Sequence, residues 1–317
     1  EMMRSPAGFM VVLCLLVFPA CTGPEEHAAA PGQTTEAVGE EASSSQEPCL
    51  GSLPPKNVAW LLPGLVSTGS HEYYARFSCS TGELFFGRGA GPHVLMVTEK
   101  GAEGWSKPTP LSFSGVFDDT EPWISEAGDS MWFASHRPKP GRTDPEERRN
   151  LWLSVRGDGG WGEPRLALPA VNTEQDEYFP VWSRSGDLFF SSDRLGSHDI
   201  FVARRMGGEL TPPEALGPAI NSPFDDYDPA LAPDGSYLVF SSSGRPDGLG
   251  GADLYISFRS ASGDWTEAQN LGPRVNTRYQ EVAPVLDRSG TFLFFSSNRR
   301  LPEPEPVNVK PPGKEGK

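Results

Sequence analysis

Five carboxylates stand at one recurring place in the chain: Glu72, Asp119, Glu177, Asp226 and Glu281. Each opens the same string, an acid, two residues and usually a proline: Glu72-Tyr-Tyr-Ala75, Asp119-Thr-Glu-Pro122, Glu177-Tyr-Phe-Pro180, Asp226-Tyr-Asp-Pro229 and Glu281-Val-Ala-Pro284. Five arginines follow at a matching place: Arg88, Arg137, Arg194, Arg245 and Arg299. Three chemistries are open to such a set. Several carboxylates around one channel mouth suit a hard cation such as Ca²⁺. Two of Glu72, Glu177 and Glu281 could serve as the acid/base pair of glycoside hydrolysis. Alternatively each carboxylate pairs with its arginine and with backbone N–H groups of the preceding turn. Repetition favours the last, because a chemical site needs one constellation and not five copies.

Other chemistry-bearing residues are sparse. His71, His93, His136 and His198 lack the short spacing of a metal site and read as loop histidines. No Gly-x-Ser-x-Gly elbow and no phosphate-binding glycine loop occurs, and Gly248–Gly251 belongs to the repeat. A formal charge of −15 argues against a nucleic-acid partner, which would demand a basic footprint. It also argues against electrostatic docking on anionic lipid. With 35 glycines and 32 prolines among 317 residues, the chain suits a turn-rich all-β protein better than a helical bundle.

The elements that must position the acids are written as repeats. Turn glycines Gly82, Gly128, Gly186, Gly235 and Gly290 recur at steps of 46, 58, 49 and 55 residues. Each precedes an apolar trio: Leu84-Phe85-Phe86, Met131-Trp132-Phe133, Leu188-Phe189-Phe190, Leu238-Val239-Phe240 and Leu293-Phe294-Phe295. Such trios read as buried strands. Third strands are expected at Val94–Val97, Leu151–Val155, Asp199–Ala203 and Asp253–Ser257, and fourth strands from near Trp105, Trp161, Leu210 and Trp265. Four strands per repeat of about fifty residues is a propeller blade. The fifth repeat has two strands, a candidate third at Pro306–Lys310 and no fourth, while Asn57–Leu62 is a fourth strand without a blade. Joining them predicts an all-β, five-bladed β-propeller of four-stranded antiparallel blades, closed by the N-terminal strand. Strand order puts the acids and arginines on one face, here called the top, and the Gly turns on the other. The top-face loops 138–149 and 244–252 are the most variable and are candidate binding loops.

The run from Pro229 to Thr277 carries Phe240-Ser-Ser, Arg245, Gly250-Gly-Ala-Asp-Leu-Tyr255, Trp265 and Val275-Asn-Thr277. It resembles the TolB-like β-propeller repeat, and the resemblance covers about residues 57–310. That family mixes scaffolds, partner-binding modules and domains attached to enzymes, so the resemblance implies architecture and leaves function open.

Upstream, Arg4 and the apolar run Phe9–Phe18 read as a secretory signal over residues 1–20, too short to span a bilayer. Phe18-Pro19-Ala20-Cys21 resembles the lipobox of bacterial lipoproteins, which implies cleavage before Cys21, a lipid on that residue and an address at the outer membrane, facing the periplasm or the surface. An ordinary secretory signal is the alternative. Residues 21–56 read as a disordered acidic tether, 57–310 as the propeller and 311–317 as a disordered tail. Cys49 and Cys79 could bridge in an oxidising compartment. The expectation is a monomeric, lipid-anchored, non-catalytic module that binds an envelope protein or glycan without a cofactor, Ca²⁺ and a hydrolase chemistry at the funnel being the alternatives.

Overall fold

The computed structural model describes residues 9–15, 58–290 and 292–300. The five apolar trios are too hydrophobic to face water on either side, so each must lie between neighbouring sheets. Wedges around an axis meet that demand. Blade one comprises Glu72–Ser78, Glu83–Arg88, Val94–Gly101 and Thr109–Pro110. Blade two comprises Asp119–Ile124, Ser130–Ser135, Asn150–Gly157 and Arg165–Leu166. Blade three comprises Glu177–Trp182, Leu188–Ser192, Asp199–Ala203 and Glu214–Ala215. Blade four comprises Asp225–Leu231, Tyr237–Ser243, Asp253–Phe258 and Gln269–Asn270. Blade five is made of Glu281–Leu286 and Phe292–Ser297 from one end of the chain, and Met10–Leu15 and Ala59–Trp60 from the other.

All pairings within the blades are antiparallel. Each inner strand touches the inner strands of both adjacent blades, and that of blade five touches that of blade one, so the ring closes. The second strands supply the core between blades: Phe85, Phe133, Phe189, Phe240 and Phe295 are all buried.

Two sequence expectations change. The third strand of blade five is Met10–Leu15, paired residue for residue with Phe292–Ser297, and the candidate Pro306–Lys310 lies outside the described residues. Met10–Leu15 falls inside the run read as a secretory signal. Six consecutive apolar residues meet the needs of a strand buried between two others as well as those of a signal core. Phe9 even takes the part of the residues that precede the other third strands: its carbonyl accepts from Glu72 N at 2.9 Å, as His93, Arg149, His198 and Ala252 accept from Asp119, Glu177, Asp226 and Glu281. Second, the Gly-Trp pairs do not open the outer strands. Gly104–Trp105 and Gly160–Trp161 form hairpins with the tails of the third strands, and the outer strands pair four to five residues later. The signal, Cys21, the tether and the tail otherwise lie outside the described residues.

The Val-Asn-Thr turns lock each outer edge. Asn276 accepts from Leu254 N at 2.8 Å and donates to Leu254 O at 2.8 Å; Asn172 and Asn221 do the same for Leu151 and Ile200. Replacing Asn276 by Ala orphans the buried N–H of Leu254, whose carbonyl still accepts from Leu271 N at 3.0 Å, and such an orphan costs about 1–3 kcal/mol. The thermal midpoint of Asn276→Ala is therefore expected to fall by roughly 2–12 °C, at about 2–4 °C per kcal/mol. An unchanged midpoint would refute the lock.

Candidate binding site on the propeller axis

The top-face acids come first because they looked most like a site. All five are completely buried. Glu177 accepts from Thr173 N at 2.7 Å, Thr173 Oγ1 at 2.6 Å, Ser192 Oγ at 3.2 Å and Arg194 Nη2 at 2.9 Å. Glu281 accepts from Thr277 N, Thr277 Oγ1 and Ser297 Oγ at 2.7–2.8 Å and pairs with Arg299 at 3.0 Å. Asp226 takes Ser222 N and Oγ at 2.6 Å and Arg245 at 2.8 Å. Glu72 takes Thr68 N and Gly69 N at 3.1 Å, Thr68 Oγ1, and Arg88 at 3.2 Å. Asp119 takes Ser114 Oγ at 2.8 Å, Ser135 Oγ at 2.7 Å and Arg137. Each arginine also donates to the carbonyl of the turn behind, as Arg194 does to Val171 O at 2.8 Å and Arg245 to Ile220 O at 2.6 Å. It lies over the trio aromatic of its own blade, as with Phe86, Phe133, Phe190, Phe240 and Phe295. Carboxylates so fully engaged have little left for a cation or a substrate. Burial is the largest influence on Asp119 and Glu177 and pushes both upward, against the pull of the donors around them.

Of the histidines, His93 and His136 both face Asp118, at 2.7 and 4.0 Å. His136 Nδ1 lies 2.9 Å from Glu146 O and His198 Nδ1 lies 2.9 Å from Tyr178 Oη. Among the described residues no group of three His, Cys, Asp or Glu side chains is arranged to hold a metal ion. Cys79 is disulfide-bonded, while Cys49 and Cys21 lie outside the described residues. In the candidate loop 244–252, otherwise largely exposed, the backbone at Gly250 lies against Tyr279: a Cβ there would meet Tyr279 O at 1.9 Å, so only glycine fits.

Below the acids each inner strand carries a bulge. The bulged residues are Tyr74, Glu121, Phe179, Asp228 and Ala283, all at positive φ between 53° and 63°. A bulge takes its N–H out of the ladder, and neighbouring blades supply the acceptors. Glu121 accepts from Phe179 N at 2.8 Å, Asp228 from Ala283 N at 3.1 Å and Ser191 Oγ from Asp228 N at 2.9 Å. Arg149, at the end of the long charged loop 138–149, reaches in to Glu121 at 3.2 Å and stacks over Tyr178 at 4.0 Å. Asp228 has no ion-pair partner of its own among the described residues, and burial, followed by the charge of Glu121, pushes its carboxyl up to about 8.

Under this layer the lower ends of the inner strands enclose a cavity of about 130 Å³ on the Gly-turn face. Sequence reasoning missed it, although the signal was present. Counting four residues on from each acid gives Arg76, Trp123, Val181, Ala230 and Val285; seven on gives Cys79, Glu126, Arg184, Pro233 and Arg288. All ten line the cavity, as does Trp182. At positions the fold requires, the five copies agree; at these they differ in nearly every blade. Glu126 lies between Arg184 at 3.8 Å and Arg288 at 3.5 Å. The lining carboxylate Asp287 is taken up by its own turn, accepting from Phe292 N at 2.8 Å and Ser289 N at 3.0 Å. Arg76 forms no ion pair among the described residues, and burial lowers its guanidinium to about 10. Arg76 Nε, Arg288 Nε and Trp182 Nε1 are buried donors without an acceptor among the described residues.

No family model matches the chain, and no curated protein matches it in sequence. Among solved structures it is similar to the putative TolB from Agrobacterium tumefaciens, at 12% identity and a TM-score of 0.47, over 92% of this chain and 99% of that one. It is also similar to TolB from Acinetobacter baumannii (11% identity, TM-score 0.44, 76% of this chain and 58% of that one). A third similarity is to a puromycin-hydrolyzing peptidase from Mycobacterium tuberculosis (13% identity, TM-score 0.41, 71% of this chain and 33% of that one).

The raised Asp228 carboxyl has a consequence for stability. Between pH 4 and about 8 the folded chain holds a proton there that the unfolded chain has lost, so stability falls as pH rises through that window. Asp228→Asn keeps an acceptor for Ala283 N and removes the slope. Its melting temperature is expected to match the parent near pH 4.5 and exceed it at pH 8; parallel melting curves across the window would show that Asp228 is not the group responsible.

Proposed function

We propose that the chain is a non-catalytic binding module of the bacterial cell envelope, with the axial cavity as its ligand seat. The observation that carries this reading is the non-equivalence of the axial residues. A fold built from one repeated unit needs no Arg76 in one blade, Trp123 in the next and Arg184 in the third, whereas a single asymmetric ligand does. The binding reading is favoured over glycoside hydrolysis because Glu72, Glu177 and Glu281 are each fully buried and committed to donors of their own blade. Asp228 has the titration of a general acid, but it is absent from the cavity wall. The ligand class is an envelope glycan or protein, and the indoles Trp123 and Trp182 in the cavity wall suit a sugar ring.

The address is part of the same reading. Lipidation at Cys21 requires cleavage before that residue, which removes Met10–Leu15 from blade five. Intact mass analysis of the protein from bacterial envelopes is expected to give a chain starting at an acylated Cys21. A mature chain that retains Met10–Leu15 would remove the anchor from the proposal.

The function itself is tested by incubating the protein with a panel of envelope glycans and peptides and following both retention and product release. Retention without turnover, lost on Trp182→Ala with the melting temperature held within a few degrees, is the expected result. Hydrolysis of any panel member would overturn the binding reading.

A further inference from the structure

We infer that the axial cavity takes an acidic sugar, a uronate or a sugar phosphate, with its oxyanion on Arg76 and Arg288. This inference rests on the proposed binding role of the cavity and adds the ligand's chemistry. Three observations point the same way. First, the charged lining is three arginines against Glu126 and Asp287, in a chain that as a whole carries 42 acids to 27 bases. Asp287 is occupied by its turn and Glu126 lies between Arg184 and Arg288, which leaves Arg76 as a cation without a counterion among the described residues. A half-buried guanidinium whose Nε is shut off from water without a partner among the described residues is costly, and a fold does not need one there: three other blades have Val181, Ala230 and Val285 at the same position.

Second, the unspent hydrogen-bonding capacity around the cavity is of one kind. Arg76 Nε, Arg288 Nε and Trp182 Nε1 are all donors, and none has an acceptor among the described residues. Indole and guanidinium nitrogens cannot accept. The complement is a group that only accepts, and an ionised carboxylate or phosphate does so with two or three oxygens in the geometry a guanidinium fork prefers. Third, size and shape restrict what carries the oxyanion. At about 130 Å³ the cavity is well below the roughly 300 Å³ at which a drug-sized molecule is enclosed, so it seats one terminal unit and leaves the remainder of the ligand outside. Trp123 and Trp182 in the wall offer apolar faces to the C–H side of a sugar ring.

Calorimetric titration of the full chain with methyl glucuronide, glucose 1-phosphate, methyl glucoside and inorganic phosphate tests this. Glucuronide or glucose 1-phosphate is expected to bind at least about tenfold more tightly than methyl glucoside, and the preferred one of the two identifies the oxyanion. Arg76→Gln is expected to lose roughly tenfold or more of that affinity while its melting temperature is maintained, since the substitution removes a half-buried unpaired charge. Arg288→Lys, which keeps the charge and loses the fork, is expected to weaken binding less than Arg288→Gln. Equal affinity for the acidic and neutral sugars, or acidic-sugar binding untouched by Arg76→Gln and Arg288→Gln, would overturn the inference. So would phosphate binding as tightly as glucose 1-phosphate, because the sugar would then contribute nothing. None of these failures touches the binding role itself, which stands or falls on retention and turnover in the glycan and peptide panel.

Discussion

A carboxylate sealed from water must be compensated on nearly every lone pair, or the fold cannot hold it charged. Five such carboxylates head the inner strands of this propeller, and much of the remaining architecture follows from satisfying them. The Thr or Ser of each turn donates with both its N–H and its hydroxyl in four blades. The arginine that follows the second strand closes the shell, and in doing so ties the preceding turn's carbonyl to the same carboxylate. The turn therefore belongs to one blade, the acid to the next, and the arginine holds both. The linkage repeats around the ring, so one blade's inner strand is oriented by the outer edge of its neighbour. Blade one shows the tolerance of the arrangement: Arg88 occupies the strand position opposite the acid that Ser135, Ser192, Ser242 and Ser297 take elsewhere, yet still reaches Glu72.

The bulged layer beneath the acids separates two environments. Its residues reach across from blade to blade through Glu121 to Phe179 N and Asp228 to Ala283 N, and Tyr74 meets Phe179 edge-on at 5.9 Å. None of these residues lines the cavity below. The bulged layer and the cavity are thus separate levels along the axis. Where the buried nitrogens of the cavity wall are shut off from water, a hydrogen bond to an oxyanion contributes more than it would in solvent.

Much of this was legible in the sequence because the propeller is written as repeats. Apolar trios after Gly turns gave the second strands, and the pairing of Glu177 with Arg194 could be read from their recurrence alone. Asn57–Leu62 was placed in the closing blade for want of a blade of its own, and Ala59–Trp60 lies there. One misreading had a local cause. Gly-Trp looks like the opening of a strand, but Gly104 and Gly160 sit at positive φ, which suits the tip of a hairpin. Met10–Leu15 is apolar enough for either a membrane-targeting core or a central strand, and composition does not separate the two. The funnel was invisible for a different reason. Its residues are scattered over more than two hundred positions, and only the ring brings Arg76 and Arg288 to one axis. What could be seen beforehand was disagreement between copies, which is weak until the fold says that those positions converge.

The overall charge of −15 sharpens what such a funnel can select. At long range the chain repels anions, but that field is screened beyond about 8 Å at physiological ionic strength. At contact, a unit charge about 4 Å from a guanidinium gains roughly 4 kcal/mol at an effective dielectric of about 20. The near term therefore outweighs the far one for a ligand that carries a single acidic group into the funnel. A polyanion brings most of its charges to the outer surface, where nothing compensates the repulsion, while only one of them can enter a cavity of about 130 Å³. On the proposed reading, the acidic exterior and the basic funnel together would discriminate by the number of charges as well as by their sign, favouring a terminal acidic sugar over a densely charged polymer.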